Sequence, residues 1–206
     1  MHGAIMNNDI LSLLDEKFEH ISPPEIYKKL WNEINLPIQM QKAAHHMLPE
    51  KEKILVLDKL SKRAYYLTEI ARRYGAKNIA EVGTAEGWQF YSFAEYCQEV
   101  EGKVWSCDVV NKHSKKHFEQ YKKVATFVHG DSNLLAEKLE KENTKIDLFY
   151  IDGSHESGAV LKDVATLKKF QTTDQVPVWI FDDFDDRFGC YRDISLIANA
   201  APQYYV

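Results

Sequence analysis

Carboxylate and imidazole side chains directly follow two apolar runs in the second half of the chain. The run LFYI leads into Asp152, with His155 three residues further on, and the run VWIF leads into Asp182 and Asp183. Carboxylates that converge repel one another unless a cation neutralises them, and oxygen ligands suit Mg²⁺, Ca²⁺ or Mn²⁺. His155 is a candidate general base, because its reference pKa of about 6.5 lies near neutral pH. The alternative is a solvated acidic loop with a structural histidine.

An earlier apolar run ends in the sequence EVGTAEG, after which Trp88 begins a helical pattern. Its glycines allow a tight turn that approaches a ligand closely, and a helix N-terminus offers free N–H groups. A dinucleotide-binding loop would carry G-x-G-x-x-G, whereas the middle glycine is replaced here by Ala85. Glu81 and Glu86 would repel a pyrophosphate and would suit an ammonium or sulfonium group. The alternative is a tight turn without a ligand.

Two further acidic residues follow apolar runs between these motifs. Asp108 ends the run VWSC about 25 residues after the first glycine of the turn, where an acidic side chain can bind both ribose hydroxyls. Asp131 follows the run ATFVHG and either accepts a hydrogen bond from an adenine amino group or caps the next helix. For Asp108, the alternative is a solvated loop residue.

The elements that must position these residues alternate between strand and helix after Gly75. The strands are predicted at residues 78–82, 103–108, 125–129, 146–151 and 176–181, and the helices at residues 88–99, 112–122, 132–142, 156–170 and 189–199. Strict alternation predicts βαβ units and a parallel sheet with helices on both faces. Right-handed crossovers then bring the C-terminal ends of all strands, and the acidic residues that follow them, to one edge.

The N-terminal part of the chain is predicted to be helical. Apolar residues recur at helical spacing from Ile10 to Phe18, from Ile26 to Ile34 and from Ile54 to Tyr74, with Gly75 as the C-terminal cap of the last helix. The sequence SPP before Glu25 is a helix-start pattern. We interpret these helices as a packed layer that either covers the site or forms a contact between two copies of the chain.

Composition excludes several other classes of protein. The chain has 206 residues, is 45% hydrophobic and has a net charge of −5, which fits one globular domain and not a dedicated nucleic-acid or anionic-membrane binder. Three cysteines without CxxC spacing argue against a disulfide framework or a structural zinc site and fit a reducing compartment. No signal peptide or membrane span is predicted, so we expect a cytoplasmic protein with a small-molecule partner, without nucleic-acid or membrane partners.

Together these motifs resemble those of class I S-adenosylmethionine-dependent methyltransferases. The resemblance covers about residues 58–190 and rests on EVGTAEG, CD, HGD, YIDGSH with Asp163 on the next helix, and FDD. The pair IDGSH and DD is similar to the metal-dependent O-methyltransferases of the macrocin type, which act on sugar hydroxyls. The resemblance implies a Rossmann-like α/β fold with a doubly wound, mainly parallel sheet. We expect an N-terminal helical extension over residues 1–52, as a lid or a dimer contact, and an S-adenosylmethionine-binding methyltransferase domain over residues 53–206.

The resemblance assigns a role to each candidate residue. It implies S-adenosylmethionine and a divalent metal, expected to be Mg²⁺, as cofactors. The residues expected to bind S-adenosylmethionine are Glu81, Gly83, Thr84, Gly87, Trp88, Asp108, Asp131 and Asp152. The metal ligands are expected to be Asp152, Asp182 and Asp183, and the catalytic residues His155 and Asp152. The predicted reaction is in-line transfer of the methyl group from the sulfonium to a substrate oxygen whose proton His155 removes.

Several alternatives stay open on the sequence alone. The class I sheet usually ends with two further strands, yet only QYYV follows the last predicted helix, so the sheet is expected to lack its final strand. A cofactor-binding accessory protein without turnover is one alternative function. An NAD-dependent oxidoreductase and a hydroxylase-like enzyme with the same loops are others. The substrate, the oligomeric state and the identity of the metal are not specified by these motifs, and a homo-oligomer is compatible with them.

Overall fold

Five parallel strands form the sheet that carries the candidate residues. In the computed structural model of the protein, the described residues are 22–37, 40 and 50–200. The strands are β1 (Asn78–Val82), β2 (Lys103–Asp108), β3 (Ala125–His129), β4 (Leu148–Ile151) and β5 (Val178–Phe181). Their order is β3-β2-β1-β4-β5, and every neighbouring pair is parallel. The chain therefore reverses its direction of winding at β1, where open α/β sheets bind their ligands.

Helices connect the strands and precede the sheet. They are α1 (Glu25–Leu30), which continues as a π-helical turn at Trp31–Asn35, α2 (Glu50–Tyr74), α3 (Trp88–Val100), α4 (Lys115–Tyr121), α5 (Ser132–Lys141), α6 (Ala159–Leu167) with a 3₁₀ turn at Lys168–Phe170, and α7 (Cys190–Ala200). None of the described helices combines the length and apolar character that a membrane span requires. The predicted domain boundary at residue 52 falls inside α2 and stays a prediction.

Alternation along the strands divides the core into two layers. Ile79, Val104 and Tyr150 pack on one face of the sheet with residues of α2 and α3. Ala80, Trp105 and other residues of the opposite face pack against α5, α6 and α7. Successive side chains of a strand point to opposite faces. Tyr150 therefore shares its face with Glu81, its register partner on β1.

The predicted fold class and most predicted elements are confirmed. The first three strands have the predicted bounds, whereas β4 and β5 each begin two residues later than predicted. Ile146 makes only an isolated bridge to Gln171, and Pro177 has no N–H to contribute to the ladder before β5. Helix α6 begins at Ala159 instead of residue 156, because Gly158 adopts a left-handed conformation with φ +86° at its N-cap.

The sheet has five strands among the described residues, and the predicted lack of a final strand stays a prediction. The predicted helix between Ile10 and Phe18 and the terminal sequence QYYV lie outside the described residues. Helix α2 ends as predicted at Gly75, which has φ +73°. The side chains of all three cysteines are free thiols, buried in the structure.

Candidate active site

The turn after β1 is shaped by two glycines. Gly83 has φ +97°, and a Cβ placed there would lie 1.8 Å from the carbonyl oxygen of Asp152, so only glycine fits. Gly87 has φ +93° and precedes α3, where a Cβ would lie 2.7 Å from the ring of Tyr91. Ala85 occupies the position of the missing glycine and still adopts a left-handed conformation with φ +46°. The turn therefore keeps its tight course without the middle glycine.

Glu81 is a buried carboxyl group on β1 with one unpartnered oxygen. Its side chain is 1% exposed, and its Oε2 accepts a hydrogen bond from Ser106 Oγ. Among the described residues, no group hydrogen-bonds to its Oε1. Burial raises the pKa of Glu81 to about 8, and the charges of Asp152 and Asp108 add to the effect, while the bond from Ser106 opposes it. An unpaired buried oxygen costs free energy of folding. Glu81 therefore fits a binding site in which a ligand supplies a hydrogen-bond donor or a cation.

Thr84 belongs to the same network as Glu81. Thr84 is 3% exposed, and its Oγ1 lies 2.5 Å from Ser106 Oγ. Ser106, on the neighbouring strand β2, therefore links the carboxyl group to the turn. The sequence analysis did not single out Ser106. Its position could have been found by pairing β1 with β2, because Glu81 and Ser106 are register partners.

Asp108 holds the turn in place at the end of β2. Its Oδ2 accepts a hydrogen bond from the backbone N–H of Ala85 at 2.7 Å, and its Oδ1 accepts one from the N–H of Val110 at 2.8 Å. Each carboxylate oxygen can accept a second hydrogen bond. The predicted contact with ribose therefore remains chemically available to this side chain.

Asp131 caps helix α5. Its Oδ1 accepts hydrogen bonds from the backbone N–H groups of Asn133 at 3.0 Å and Leu134 at 3.4 Å, and its Oδ2 pairs with Lys162 Nζ at 3.1 Å. The bond from Lys162 is the main reason why the pKa of Asp131 is lowered. Of the two predicted roles, capping is the one that the contacts show, and an adenine contact stays a prediction.

Asp152, His155 and Asp183 form a cluster beyond the ends of β4 and β5. One ligand atom from each lies within 4.8 Å of the other two. The Nε2 of His155 lies 2.7 Å from Asp183 Oδ2, and the half-exposed ring packs against Phe188 at a centroid distance of 4.6 Å. Burial raises the pKa of Asp152 to about 6, against the lowering effects of Tyr150 and Arg63. Two carboxylates and an imidazole suit a divalent cation or an acid–base pair.

Asp182, the third predicted metal ligand, lies beside this cluster but has other partners. Its Oδ2 forms an ion pair with Arg63 of α2 and lies 3.0 Å from Tyr150 Oη. The structure thus groups His155 with Asp152 and Asp183, and it brings Asp182 to α2 instead. Sequence reasoning missed Arg63 and Tyr150. The alternation of β5 could have placed Asp182 on the face that α2 covers.

Trp88 lies at the N-terminus of α3 and is partly buried. Its ring makes an edge-to-face contact with Trp31, with centroids 5.9 Å apart. The N-terminal helical segment therefore reaches the turn that follows β1. The predicted cofactor contact of Trp88 stays a prediction.

A family model described as a methyltransferase domain matches residues 80–184, just over half of the chain. The match runs from β1 to the loop after β5 and includes every candidate site residue. The chain belongs to this methyltransferase family. With the class I fold, it is an S-adenosylmethionine-dependent methyltransferase, as the motifs predicted.

Solved structures share the fold at low sequence identity. A methyltransferase from Podospora anserina, bound to SAH, superimposes with a TM-score of 0.54 at 15% identity, covering 88% of this chain and 73% of that one. A protein from Staphylococcus aureus, provisionally assigned as a caffeoyl-CoA O-methyltransferase, has a TM-score of 0.51 at 17% identity, with coverages of 92% and 79%. A Klebsiella pneumoniae protein, provisionally assigned as an O-methyltransferase, has a TM-score of 0.51 at 14% identity, with coverages of 82% and 68%. No curated protein sequence matches the chain.

Proposed function

We propose that this methyltransferase transfers its methyl group to a hydroxyl oxygen of a small molecule, with assistance from a divalent metal. The observation that carries the proposal is the cluster of Asp152, His155 and Asp183 beyond the ends of β4 and β5. An aliphatic hydroxyl is a weak acid, so its methylation benefits from both a Lewis acid and a base. The motifs resemble those of the macrocin type, which supports a sugar or natural-product hydroxyl as the acceptor.

S-adenosylmethionine is the methyl donor, and the turn after β1 would bind it. The unpartnered Oε1 of Glu81 supplies a buried acceptor for the positively charged methionine part. Gly83, Thr84, Gly87 and Trp88 would surround the same part, as the family pattern implies. Asp108 would bind the ribose, and Asp131 with Asp152 would contact the rest of the cofactor. These assignments are supported by the position of the residues, which all lie at the C-terminal edge of the sheet.

Asp152 and Asp183 would hold the divalent cation, and their hard oxygen ligands suit Mg²⁺. Bound there, the cation would supply Lewis-acid polarisation of the acceptor hydroxyl. Asp182, the third residue of the predicted ligand set, forms an ion pair with Arg63. Asp183 accepts a hydrogen bond from His155 when the imidazole Nε2 carries a proton, which fixes the orientation of the ring.

His155 would act as the general base. With Nε2 held by Asp183, the Nδ1 atom is the basic nitrogen of the neutral ring and would take the proton of the acceptor hydroxyl. The buried Glu81 would hold the donor on the opposite side, so that the acceptor oxygen, methyl carbon and sulfur can align. The proton and the methyl group then leave by separate routes, the proton to His155 and the methyl group to the oxygen.

Methyl transfer from radiolabelled S-adenosylmethionine to a panel of monosaccharides, glycosides and phenols tests this function. We expect transfer to a hydroxyl compound that EDTA abolishes and Mg²⁺ restores. The variant His155→Ala should lose at least about a hundredfold in rate and retain metal affinity, because general-base catalysis contributes about 10²- to 10⁴-fold. Full activity in excess EDTA would refute metal assistance, and unchanged turnover of His155→Ala would refute its role as base.

A further inference from the structure

Arg63 of α2 is a partly buried cation that has no role in the proposed methyl transfer. Its side chain is 34% exposed, and its guanidinium pairs with the carboxylate of Asp182 and donates to Tyr150 Oη at 3.3 Å. Residues 63 and 182 are 119 positions apart in the chain. The contact therefore joins helix α2 to the end of β5, directly beside the proposed metal site.

Both carboxylate oxygens of Asp182 have donors in the structure. Arg63 and Tyr150 contact Oδ2, and the backbone N–H of Asp183 donates to Oδ1 at 2.8 Å. Asp152, in contrast, receives a hydrogen bond from Tyr150 Oη on its Oδ2 at 2.9 Å and lies within the cluster of Asp183 and His155. The three acidic residues are thus divided between two cations, one present in the chain and one to be bound.

The charges of this region balance only if Arg63 is counted. When ionised, Asp152, Asp182 and Asp183 carry three negative charges, and a divalent cation neutralises two of them. Arg63 neutralises the third. Charges that are close together in a partly buried site interact by several kcal/mol at an effective dielectric constant of about 20. A mismatch of one charge would therefore change cation affinity measurably.

The same contact also fixes the direction of one hydrogen bond. Tyr150 has a single hydroxyl proton and lies near both Asp152 and Asp182. Because the guanidinium already donates to Asp182, the tyrosine proton is best used on Asp152. Removing Arg63 would allow Tyr150 to turn its proton to Asp182 and would release Asp152 from this bond.

We propose that Arg63 is a built-in counter-ion that withholds Asp182 from the metal, so that the site binds a divalent ion through Asp152 and Asp183. Arg63 is then a specificity-determining residue, because it sets the charge that the bound ion must neutralise. This inference rests on the metal site of the proposed function. It differs from the ligand set expected from the sequence, in which Asp182 binds the metal directly.

Calorimetric titration with Mn²⁺, without cofactor or acceptor, tests the inference on the full chain. Asp182→Asn leaves the charge of Arg63 unpaired beside the site, so we expect it to weaken Mn²⁺ binding by about tenfold through electrostatic repulsion. Arg63→Gln should tighten binding by about tenfold, because it frees a third carboxylate for the ion. In the double variant the affinity should return to the wild-type value, and Arg63→Lys, which keeps the charge, should stay close to wild type.

Two controls keep the result interpretable. Arg187→Gln removes an equal charge from the loop after β5, where Arg187 pairs with Asp185 and is 77% exposed, and it should leave Mn²⁺ affinity unchanged. Thermal unfolding of each variant verifies that it is folded. A loss of about tenfold or more in the double variant Arg63→Gln/Asp182→Asn, whose local charge equals that of wild type, or unchanged affinity in folded Arg63→Gln, would overturn the inference.

The outcome for Asp152→Asn separates this inference from the proposed function. If wild type binds Mn²⁺ and both Asp152→Asn and the double variant Arg63→Gln/Asp182→Asn abolish binding, the metal site stands and only the role of Arg63 falls. If neither wild type nor Arg63→Gln binds Mn²⁺, the metal site itself is refuted, together with the role of Arg63.

Discussion

At the scale of single residues, the site contains a carboxyl group, Glu81, whose ionised form is disfavoured by burial. Glu81 is 1% exposed and has an unpartnered oxygen, and its pKa is raised to about 8 mainly by desolvation. A group of this kind destabilises the folded protein once the unfolded chain ionises. Active sites commonly retain such groups for function at a cost in stability.

Glu81→Gln should therefore stabilise the protein at alkaline pH. The folded protein holds the Glu81 proton up to about pH 8, whereas the unfolded chain releases it near its ordinary value of 4.5, so stability falls as the pH rises between these values. The glutamine removes this fall, with a gain of about 4 kcal/mol at pH 8 and almost none at pH 4.5. Urea unfolding across this pH range measures it. An equal effect of the substitution at both pH values would contradict the assigned pKa.

Gly83→Ala should be strongly destabilising. The new Cβ would lie 1.8 Å from the carbonyl oxygen of Asp152, and the chain there has φ +97°. We expect a loss of at least about 3 kcal/mol in the free energy of unfolding. Gly75→Ala is the matched control, because its φ is +73° but no described heavy atom lies within 4 Å of the added Cβ. It should cost only about 1 kcal/mol, and equal losses for the two variants would contradict the proposed clash.

At the scale of elements, hydrogen bonds to α7 hold the loop that carries His155. Asp193 of α7 is 2% exposed, and it accepts hydrogen bonds from the backbone N–H groups of Gly158 at 3.0 Å and Val160 at 3.1 Å. The N–H of Cys190 also donates to the carbonyl oxygen of His155 at 3.0 Å. Helix α7 therefore caps α6 and fixes the loop between β4 and α6.

Asp193→Ala should cost more stability than the corresponding loss of an exposed cap. It leaves the buried N–H group of Val160 and the partly buried N–H group of Gly158 unpaired, for which we expect about 2–3 kcal/mol. Asp131→Ala removes the cap of α5, where water can replace the side chain, and should cost about 1 kcal/mol. Urea unfolding of both variants gives the comparison. Similar losses would show that burial of the Asp193 cap adds nothing.

The elements themselves could be predicted closely, because their patterns are local. Each of β1, β2 and β3 has the predicted bounds, and the later start of β5 reflects a single residue, Pro177. The ion pair between Arg63 and Asp182 could not be predicted in the same way. A helical stripe shows which face of α2 is buried, but it does not specify which turn of the helix meets a strand more than a hundred residues away.

The candidate site could be predicted as a location more than as a set of contacts. Parallel strands bring their C-terminal ends to one edge, and Asp152 and Asp183 lie close together there as expected. The division of roles depends on neighbours from other elements. Lys162 pairs with Asp131 and Arg63 with Asp182, and neither cation belongs to a motif at the strand ends.

At the scale of the whole molecule, several of the acidic residues that give the chain its net negative charge lie at the C-terminal edge of the sheet. Of the acidic residues at the sheet edge, Asp131 and Asp182 have cationic partners within the chain. Glu81, Asp152 and Asp183 lie at the C-terminal ends of β1, β4 and β5, on the side of the sheet that begins at the switch point beside β1. Acidic groups therefore concentrate where a sulfonium-bearing donor and a divalent cation would bind.

The central claim is that this edge binds S-adenosylmethionine through Glu81, and isothermal titration calorimetry tests it most directly. S-adenosylmethionine, S-adenosylhomocysteine and NAD are titrated separately into the wild-type protein and into Glu81→Gln, with Mg²⁺ and with EDTA. We predict that both adenosyl compounds bind the wild type and that NAD does not. Glu81→Gln should weaken binding of S-adenosylmethionine by about tenfold or more, because a hydrogen bond to a charged group contributes about 1.5–3 kcal/mol. Binding of NAD without S-adenosylmethionine, or full affinity in Glu81→Gln, would contradict the account.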